Sequence, residues 1–226
     1  MARLPALIDA FAACDPRGRA TVVHVARVIR EAGLIQTTKR GRGAAEMTEH
    51  DAVALLMGLN CSENIQDAPK AVLMFSELAP VQAAKGGSVP PVLLPVVKAP
   101  TLYSALEALL IAAPQIDAML ANSEELHRKT PKAIRGNVAE FGYEFWSRAT
   151  FHLPDPTASI AVTWMENLAG PIRRDLHVSY RAPQSRRPVR RSREFDRDVT
   201  ISVGLSTFLR LHAALWPEEA LLRGTR

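Results

Sequence analysis

The side chains that most often carry out catalysis or hold metal ions are dispersed along this sequence. There is no H-x-x-x-H or C-x-x-C pair and no G-x-S-x-G motif, and Gly41-Arg42-Gly43 lacks the rest of a phosphate-binding loop. Cys14 and Cys61 have no histidine at ligand spacing. We therefore expect both to be small buried hydrophobic residues rather than nucleophiles. The sequence therefore predicts no catalytic residue, no metal site, no cofactor and a protein that is not an enzyme.

Basic residues, in contrast, are concentrated in two regions of the chain. Lysine and arginine total 28 against 23 acidic residues, which gives a formal net charge of +5. The first basic region has a single acid, Glu31, among Arg17, Arg19, Arg27, Arg30, Lys39, Arg40 and Arg42. The second basic region contains no acid and consists of Arg186, Arg187, Arg190, Arg191 and Arg193. Clustered charge keeps its field, so both regions indicate a polyanionic partner.

The first basic region begins on a predicted helix. Residues 4–13 have apolar side chains at helical spacing, and residues 15–18 are turn formers. Thr21 is a suitable N-cap for the next helix, and Gly33 is suited to close it. The buried face of this helix is predicted to consist of Val22, Val25, Ala26 and Ile29.

A β-hairpin and two further helices are predicted to follow. The β-prone stretches within 34–47 flank a basic, glycine-containing tip at 39–43, and this pattern is typical of a hairpin. Thr48 and Asp51 have the spacing of a capping box that opens the first helix, and Pro69 suits the first turn of the second.

The second half of the chain changes from helical to strand-like patterning. Residues 80–100 contain five prolines and a Gly-Gly pair, so we expect neither a helix nor an internal strand there. Strongly apolar helices are predicted at 101–112 and again from Pro114. Alternating apolar and polar residues then predict three or four antiparallel strands, and a final helix begins near Leu205; the strand segments are 145–153, 159–165, 176–180 and 199–203.

The N-terminal order of elements resembles that of winged helix-turn-helix DNA-binding proteins. It consists of a helix, the residues Arg-Glu-Ala-Gly-Leu-Ile at 30–35, a basic hairpin and another helix, and it covers only residues 4 to about 60. The resemblance implies that the helix enters the major groove and that the hairpin lies along the backbone or the minor groove. The predicted fold class is α+β, with three parts: a winged-helix-like DNA-binding domain (1–79), a Pro/Gly-rich linker (80–100), and an α+β oligomerisation or partner-binding domain with helices and an antiparallel sheet (101–226).

Each residue of the predicted site has a physical role on duplex DNA. Thr21 and the amides at the start of its helix can bind a phosphate. His24, Arg27 and Arg30 lie on the polar side of the helix, from which an arginine can reach the acceptors of guanine. The hairpin tip supplies further positive charge toward the backbone or a narrow minor groove through Lys39, Arg40 and Arg42. The alternative is a solvated basic helix with a hairpin that contacts another protein.

The second basic region has two open interpretations. It is either an arm that orders on nucleic acid or a solvated loop between strands, and a charge run alone does not separate the two. The aromatic residues are concentrated in the C-terminal half, where they are typical of a sheet-and-helix core. Beside arginines on a sheet, the same residues could stack on single-stranded bases.

The overall expectation is a sequence-specific DNA-binding protein, a transcriptional regulator that binds double-stranded DNA as a homo-oligomer. A dimer is favoured because two readers one helical turn apart increase specificity. The alternatives are a phage-type DNA-packaging or assembly subunit that binds DNA as an oligomer, and a protein-interaction module without nucleic acid. The chain lacks a signal-peptide pattern and a run of about 18 apolar residues, so a cytoplasmic protein with no membrane partner is predicted.

Overall fold

The computed structural model describes residues 3–36, 45–85, 88–129, 145–153, 156–167, 171–182 and 199–224. Within these residues the chain forms eight helices and a five-stranded sheet, so the fold is α+β as predicted. The helices are α1 (Leu4–Ala12), α2 (Arg19–Glu31), α3 (Glu49–Asn60), α4 (Ala68–Ser76), α5 (Leu94–Lys98), α6 (Leu102–Lys129), α7 (Leu205–Leu215) and α8 (Pro217–Gly224). The strands are β1 (Ala79–Lys85), β2 (Trp146–Leu153), β3 (Thr157–Asn167), β4 (Pro171–Arg181) and β5 (Val199–Gly204).

The strands form one antiparallel sheet in the order β1-β4-β3-β2-β5. The four segments predicted from period-two patterning are confirmed as β2 to β5. In the register, Ala149 of β2 lies opposite Ile160 of β3, which lies opposite Val178 of β4. All three side chains are buried, so the alternation places one apolar face of the sheet against the helices and leaves a polar face on the other side.

β1 is a strand that the sequence patterning did not predict, because it lies in the proline-containing segment. It pairs only with β4, at the edge of the sheet, and its register shifts between Pro80 and Gln82. An edge strand tolerates proline, since the missing N–H need not donate to a neighbour. The described sheet therefore has five strands rather than the expected three or four.

The helices and the apolar face of the sheet share a continuous hydrophobic core. Phe75 of α4 meets Phe151 of β2 edge-on, with ring centroids 6.1 Å apart. The backbone N–H of Met165 in β3 donates to the Ser123 hydroxyl of α6 at 3.0 Å. Buried side chains of α1, α3 and α7 belong to the same core, among them Leu7, Leu55 and Phe208.

The two helices predicted at 101–112 and from Pro114 are a single 28-residue helix, α6, with Pro114 inside it. A proline in a helix interior costs about 3 kcal/mol. The buried stripe of α6 continues on both sides of Pro114, from Leu102 to Leu120, and its packing outweighs that cost. By length and composition α6 is also a candidate membrane span, with mean hydropathy 1.3 over 18 residues, but its stripe is already part of the core.

Residues 80–100, expected to form a linker without helices, contain most of β1 and the short helix α5. Pro91 and Pro95 stand in the first turns of short helical segments, where a missing N–H costs nothing. Leu93 and Val96 are fully buried in the common core. The apolar residues Leu93 and Val96 therefore reach the core from short helical turns.

The N-terminal part begins as predicted, with α1, a turn and α2. The turn is closed by the Gly18 N–H, which donates to the Asp15 carbonyl at 3.1 Å. The predicted hairpin is not confirmed. Its flanking residues 34–36 and 45–47 are described and are not in strands, and residues 37–44 lie outside the described part of the chain. The fold is therefore established as α+β without a winged-helix unit being shown.

Candidate nucleic-acid interface

α2 is held in place by the closure of its C-terminus and by its buried face. Gly18 precedes it with φ +82° and Gly33 follows it with φ +76°, in the left-handed region that favours glycine. The Leu34 N–H donates to the Ile29 carbonyl at 3.1 Å, which closes the C-terminus in a Schellman-type bond as Gly33 predicts. The predicted apolar face of Val22, Val25, Ala26 and Ile29 is buried.

α3 packs very closely against this buried face. A Cβ atom added at Gly58 of α3 would lie only 2.0 Å from Ile29 Cδ1 and 3.3 Å from Val25 Cγ1. The two helices therefore approach each other at a point where no side chain fits. This contact sets the orientation of α2, and with it the direction in which the opposite face points.

The opposite face of α2 is exposed and consists of Val23, His24, Arg27, Arg30 and Glu31. Arg27 Nε donates to Glu31 Oε1 at 2.7 Å, and this hydrogen bond lowers the pKa of Glu31. Arg30 forms no ion pair with any described residue. The structure thus brings the predicted residues His24, Arg27 and Arg30 onto one face, with a single acid among them.

Two other arginines of the first basic region are engaged by carboxylates. Arg17 donates to Asp15 from Nε at 2.9 Å and from Nη2 at 2.6 Å, and also to the Leu59 carbonyl at 2.7 Å. Burial disfavours the charged form of Asp15, but the hydrogen bonds and charge of Arg17 outweigh burial and lower the pKa of Asp15. Arg19 donates to Asp9 at 2.8 Å. The positive field of this region is therefore smaller than the sequence suggests, because two acids just before it neutralise two of its arginines.

Thr21 is not the N-cap of α2. The helix begins two residues earlier, at Arg19. Its N-cap is Gly18, which has no side chain that could cap the helix. The Thr21 hydroxyl donates to the Arg17 carbonyl at 3.2 Å. Because the helix begins at Arg19, the backbone amides of Arg19, Ala20 and Thr21 have no acceptor within the helix and are the groups left for the predicted phosphate contact.

The buried carboxylate of Asp51 binds the chain at Gln36 and at Thr48, on either side of residues 37–44. Its Oδ1 accepts the Gln36 N–H at 2.8 Å, and its Oδ2 accepts the Thr48 N–H at 2.9 Å. The Thr48 hydroxyl donates to Oδ2 at 2.9 Å, and the Asp51 N–H donates back to that hydroxyl at 3.4 Å. The predicted capping box is confirmed, and Asp51 has the further role of tying the end of the α2 segment to the start of α3.

Both segments that carry most of the predicted basic charge lie outside the described residues: Lys39, Arg40 and Arg42 within 37–44, and Arg186, Arg187, Arg190, Arg191 and Arg193 within 183–198. The described residues that flank the first segment are Gln36 and Ala45. Those that flank the second segment are Ala182, just after β4, and Val199, at the start of β5. Arg181 and Thr200 lie at the same end of the sheet, in one row across β4, β3, β2 and β5.

The polar face of the sheet contains basic residues that sequence reasoning missed as a group. Arg148 and His152 alternate with buried residues along β2, and His177 and Arg181 do so along β4. Their alternation with apolar residues at a period of two is the sequence signal that could have placed them on the outward face of the sheet. The sequence does not state that β3 lies between β2 and β4, so it could not show that the four residues surround one area.

Metal-ligating side chains do not cluster among the described residues. These residues include no group of three or more His, Cys, Asp or Glu side chains able to hold a metal ion. Burial raises the pKa of the Cys61 thiol well above its ordinary value, so this cysteine is kept protonated. An open cavity of about 370 Å³ lies between the α1–α2 turn, the end of α3 and β5. Its charged lining residues, Asp15 and Arg17, are paired with each other.

The structure therefore presents two basic surfaces on one α+β core: the outward face of α2 and the polar face of the sheet. Comparison of the chain with protein-family models, with curated proteins and with solved structures found no match.

Proposed function

We propose that this protein binds double-stranded DNA through the outward face of α2 and the basic segment that follows it, and that it is a sequence-specific transcriptional regulator. A winged helix-turn-helix arrangement, with residues 39–43 as the tip of the wing, is the finer form of the proposal. The observation that carries it is the anchoring by Asp51, whose carboxylate binds the backbone at Gln36 and at Thr48. A short segment with three basic residues is thereby tethered at both ends next to a basic helix.

The outward face of α2 fits the geometry of a major groove. Thirteen residues give a helix about 20 Å long, and a major groove about 12 Å wide admits a helix. Arg30 is exposed, and a bidentate contact from an arginine to guanine contributes about 1–3 kcal/mol to discrimination. The Arg27–Glu31 pair is exposed, and such pairs are weak, so a phosphate can replace Glu31 as the partner of Arg27.

Self-association as a dimer is part of the proposal. One helix face with His24, Arg27 and Arg30 makes few base contacts, and two such faces one helical turn apart would double them. Light scattering of the purified protein should give twice the chain mass. A defined assembly of many subunits would favour a packaging or assembly component instead of a regulator.

A salt-dependent titration tests DNA binding directly. Affinity for labelled random duplex is measured at several salt concentrations for the wild type and for the double variant Arg40→Ala/Arg42→Ala. Loss of two phosphate contacts should reduce the slope of log K against log salt by about 1.8. The matched control is Lys70→Ala/Arg210→Ala, which removes two exposed charges from α4 and α7.

The control should leave the salt slope at the wild-type value. Selection of preferred duplexes then separates the two parts of the interface, since Arg30→Ala should relax sequence preference while Lys39→Ala weakens all duplexes alike. Absence of duplex binding by the wild type at low salt would refute the proposal, and so would equal effects of the two double variants.

A further inference from the structure

The polar face of the sheet is a second surface with the properties of a binding site. The described helices pack against the opposite face, where Phe151, Ile160 and Val178 are buried. On the polar face, Arg148, His177 and Arg181 are exposed, while His152 is half-buried. These four residues lie on strands that are separated by β3.

The register gives the arrangement of the four basic residues. Arg148 lies opposite Ala161, which lies opposite His177, and His152 lies opposite Thr157, which lies opposite Arg181. Two strand spacings separate each pair by about 10 Å, and four residues along each strand separate the two pairs by about 13 Å. The four side chains therefore stand at the corners of a rectangle on the sheet, which we call the basic frame.

The area inside the basic frame is covered by small side chains. Thr150, Ser159 and Ser179 form one row across β2, β3 and β4, and Ala161 lies beside them. The row continues to β5, where the Ser202 hydroxyl is 3.3 Å from that of Thr150. Long basic side chains around a floor of hydroxyls leave room for a flat or extended ligand, and hydroxyls are common donors to phosphate oxygens.

The charge of this face is complementary to a polyanion. Arg148 and Arg181 form no ion pair with any described residue. Among the outward-facing positions of β2 to β5 that are described, the one acid is Asp175, and it is already bound by Thr163 at 2.7 Å and by Arg173 at 3.4 Å. The face thus keeps positive charge that no described ion pair neutralises, and the cavity beside Arg148 is also lined by the α6 carboxylates Asp117 and Glu124.

An aromatic ring lies at the border of the basic frame. Trp146 is two residues before Arg148 on β2, and the Arg148 guanidinium is 5.1 Å from the centre of the Trp146 ring. Trp146 is half-buried, so part of its ring is open to a partner. Aromatic rings and arginine planes on a basic surface are the groups on which unpaired bases stack. A duplex hides its bases from such a flat face, whereas a single strand presents them.

We propose that the polar sheet face binds single-stranded nucleic acid, with phosphates bound by the basic frame and a base stacked at Trp146. This site is separate from the duplex site proposed on α2, and neither requires the other. Binding of oligothymidylate and of oligouridylate, each fluorescently labelled, is measured by anisotropy with the full chain at several salt concentrations. The two oligonucleotides distinguish DNA from RNA as the source of the same chemistry.

The decisive variant is Arg148→Ala/Arg181→Ala, with Lys70→Ala/Arg210→Ala as the control of equal charge change. The first should reduce the salt slope for the single strand by about 1.4, since two phosphate contacts are lost, and the control should not change it. Trp146→Ala should weaken binding about 5- to 150-fold at an unchanged salt slope, and Trp146→Phe should restore part of the loss. Circular dichroism checks that each variant is folded, and Ser179→Glu, which adds a negative charge to the floor, gives an independent test.

Three results would overturn the site: no binding of either oligonucleotide by the wild type at low salt, equal behaviour of the decisive variant and its control, or unchanged binding by folded Ser179→Glu. The variant Arg40→Ala/Arg42→Ala separates this proposal from the previous one. It should weaken duplex binding and leave oligothymidylate binding unchanged. If Arg40→Ala/Arg42→Ala abolishes binding of the single strand and Arg148→Ala/Arg181→Ala does not, the first basic region binds both the duplex and the single strand, and the sheet face is not a binding site.

Discussion

Asp51→Asn tests whether one buried carboxylate ties the end of the α2 segment to the start of α3. Asp51 is 1% exposed and accepts three hydrogen bonds, from the Gln36 N–H, the Thr48 N–H and the Thr48 hydroxyl. Asparagine keeps one acceptor oxygen and turns an NH₂ group toward donors on the other side. At least one buried donor then loses its acceptor, and the remaining hydrogen bonds are made to a neutral oxygen instead of a charged one.

The expected cost follows from those contacts. An unsatisfied buried donor costs about 1–3 kcal/mol, and a hydrogen bond to a charged group contributes about 1.5–3 kcal/mol. We expect the free energy of unfolding to fall by about 2–4 kcal/mol, which is a large part of the 5–15 kcal/mol typical of a folded protein. The urea midpoint should therefore fall by about 1 M or more.

The assay is urea unfolding followed by circular dichroism, with Glu46→Gln as the control. Glu46 is exposed, lies close to Asp51 in the sequence, and carries no ion pair to a described residue, so its loss should leave the midpoint unchanged. Duplex affinity of Asp51→Asn under folded conditions should also fall, because the basic segment loses its anchor. Equal midpoints for the two variants would show that the carboxylate does not hold these ends together.

Two further predictions concern the packing and the charge around α2. Gly58→Ala should lower the free energy of unfolding by about 1–2 kcal/mol, since overpacking against Ile29 outweighs the gain in helix propensity of about 1 kcal/mol. In an Ile29→Val background, which lacks Cδ1, the same change should cost less, because only the contacts of 3.1 Å and 3.3 Å remain, and an equal loss in both backgrounds would contradict the contact. Because Arg17 lowers the pKa of Asp15 below its ordinary value of 3.8, the pair should stabilise the fold at pH values above 3.8 and lose this effect on acidification through the lowered pKa. Thermal melts of the wild type and Asp15→Asn should therefore converge at low pH, and a constant difference from neutral to acid pH would argue against the pair.

The sequence alone determined those features that depend on near neighbours in the chain. Thr48 and Asp51 are three residues apart, so their capping box needs only the start of one helix, and Gly33 closes α2 through bonds within a few residues. Alternation of apolar and polar side chains identified β2 to β5 because the period of a strand is local. The buried face of α2 was also correct, since helical spacing alone defines it.

Tertiary structure decided the features for which local rules conflict with packing or say nothing. Pro114 breaks helices in isolation, yet a buried stripe on both sides carries α6 through it, and the same balance places Leu93 and Val96 of a proline-rich segment in the core. Only folding brings Asp9 to Arg19. Only the strand order brings Arg148 and Arg181 to one area of the sheet. Long-range contacts arise from the sum of many weak burial terms over distant residues, and no window of neighbouring residues contains that sum.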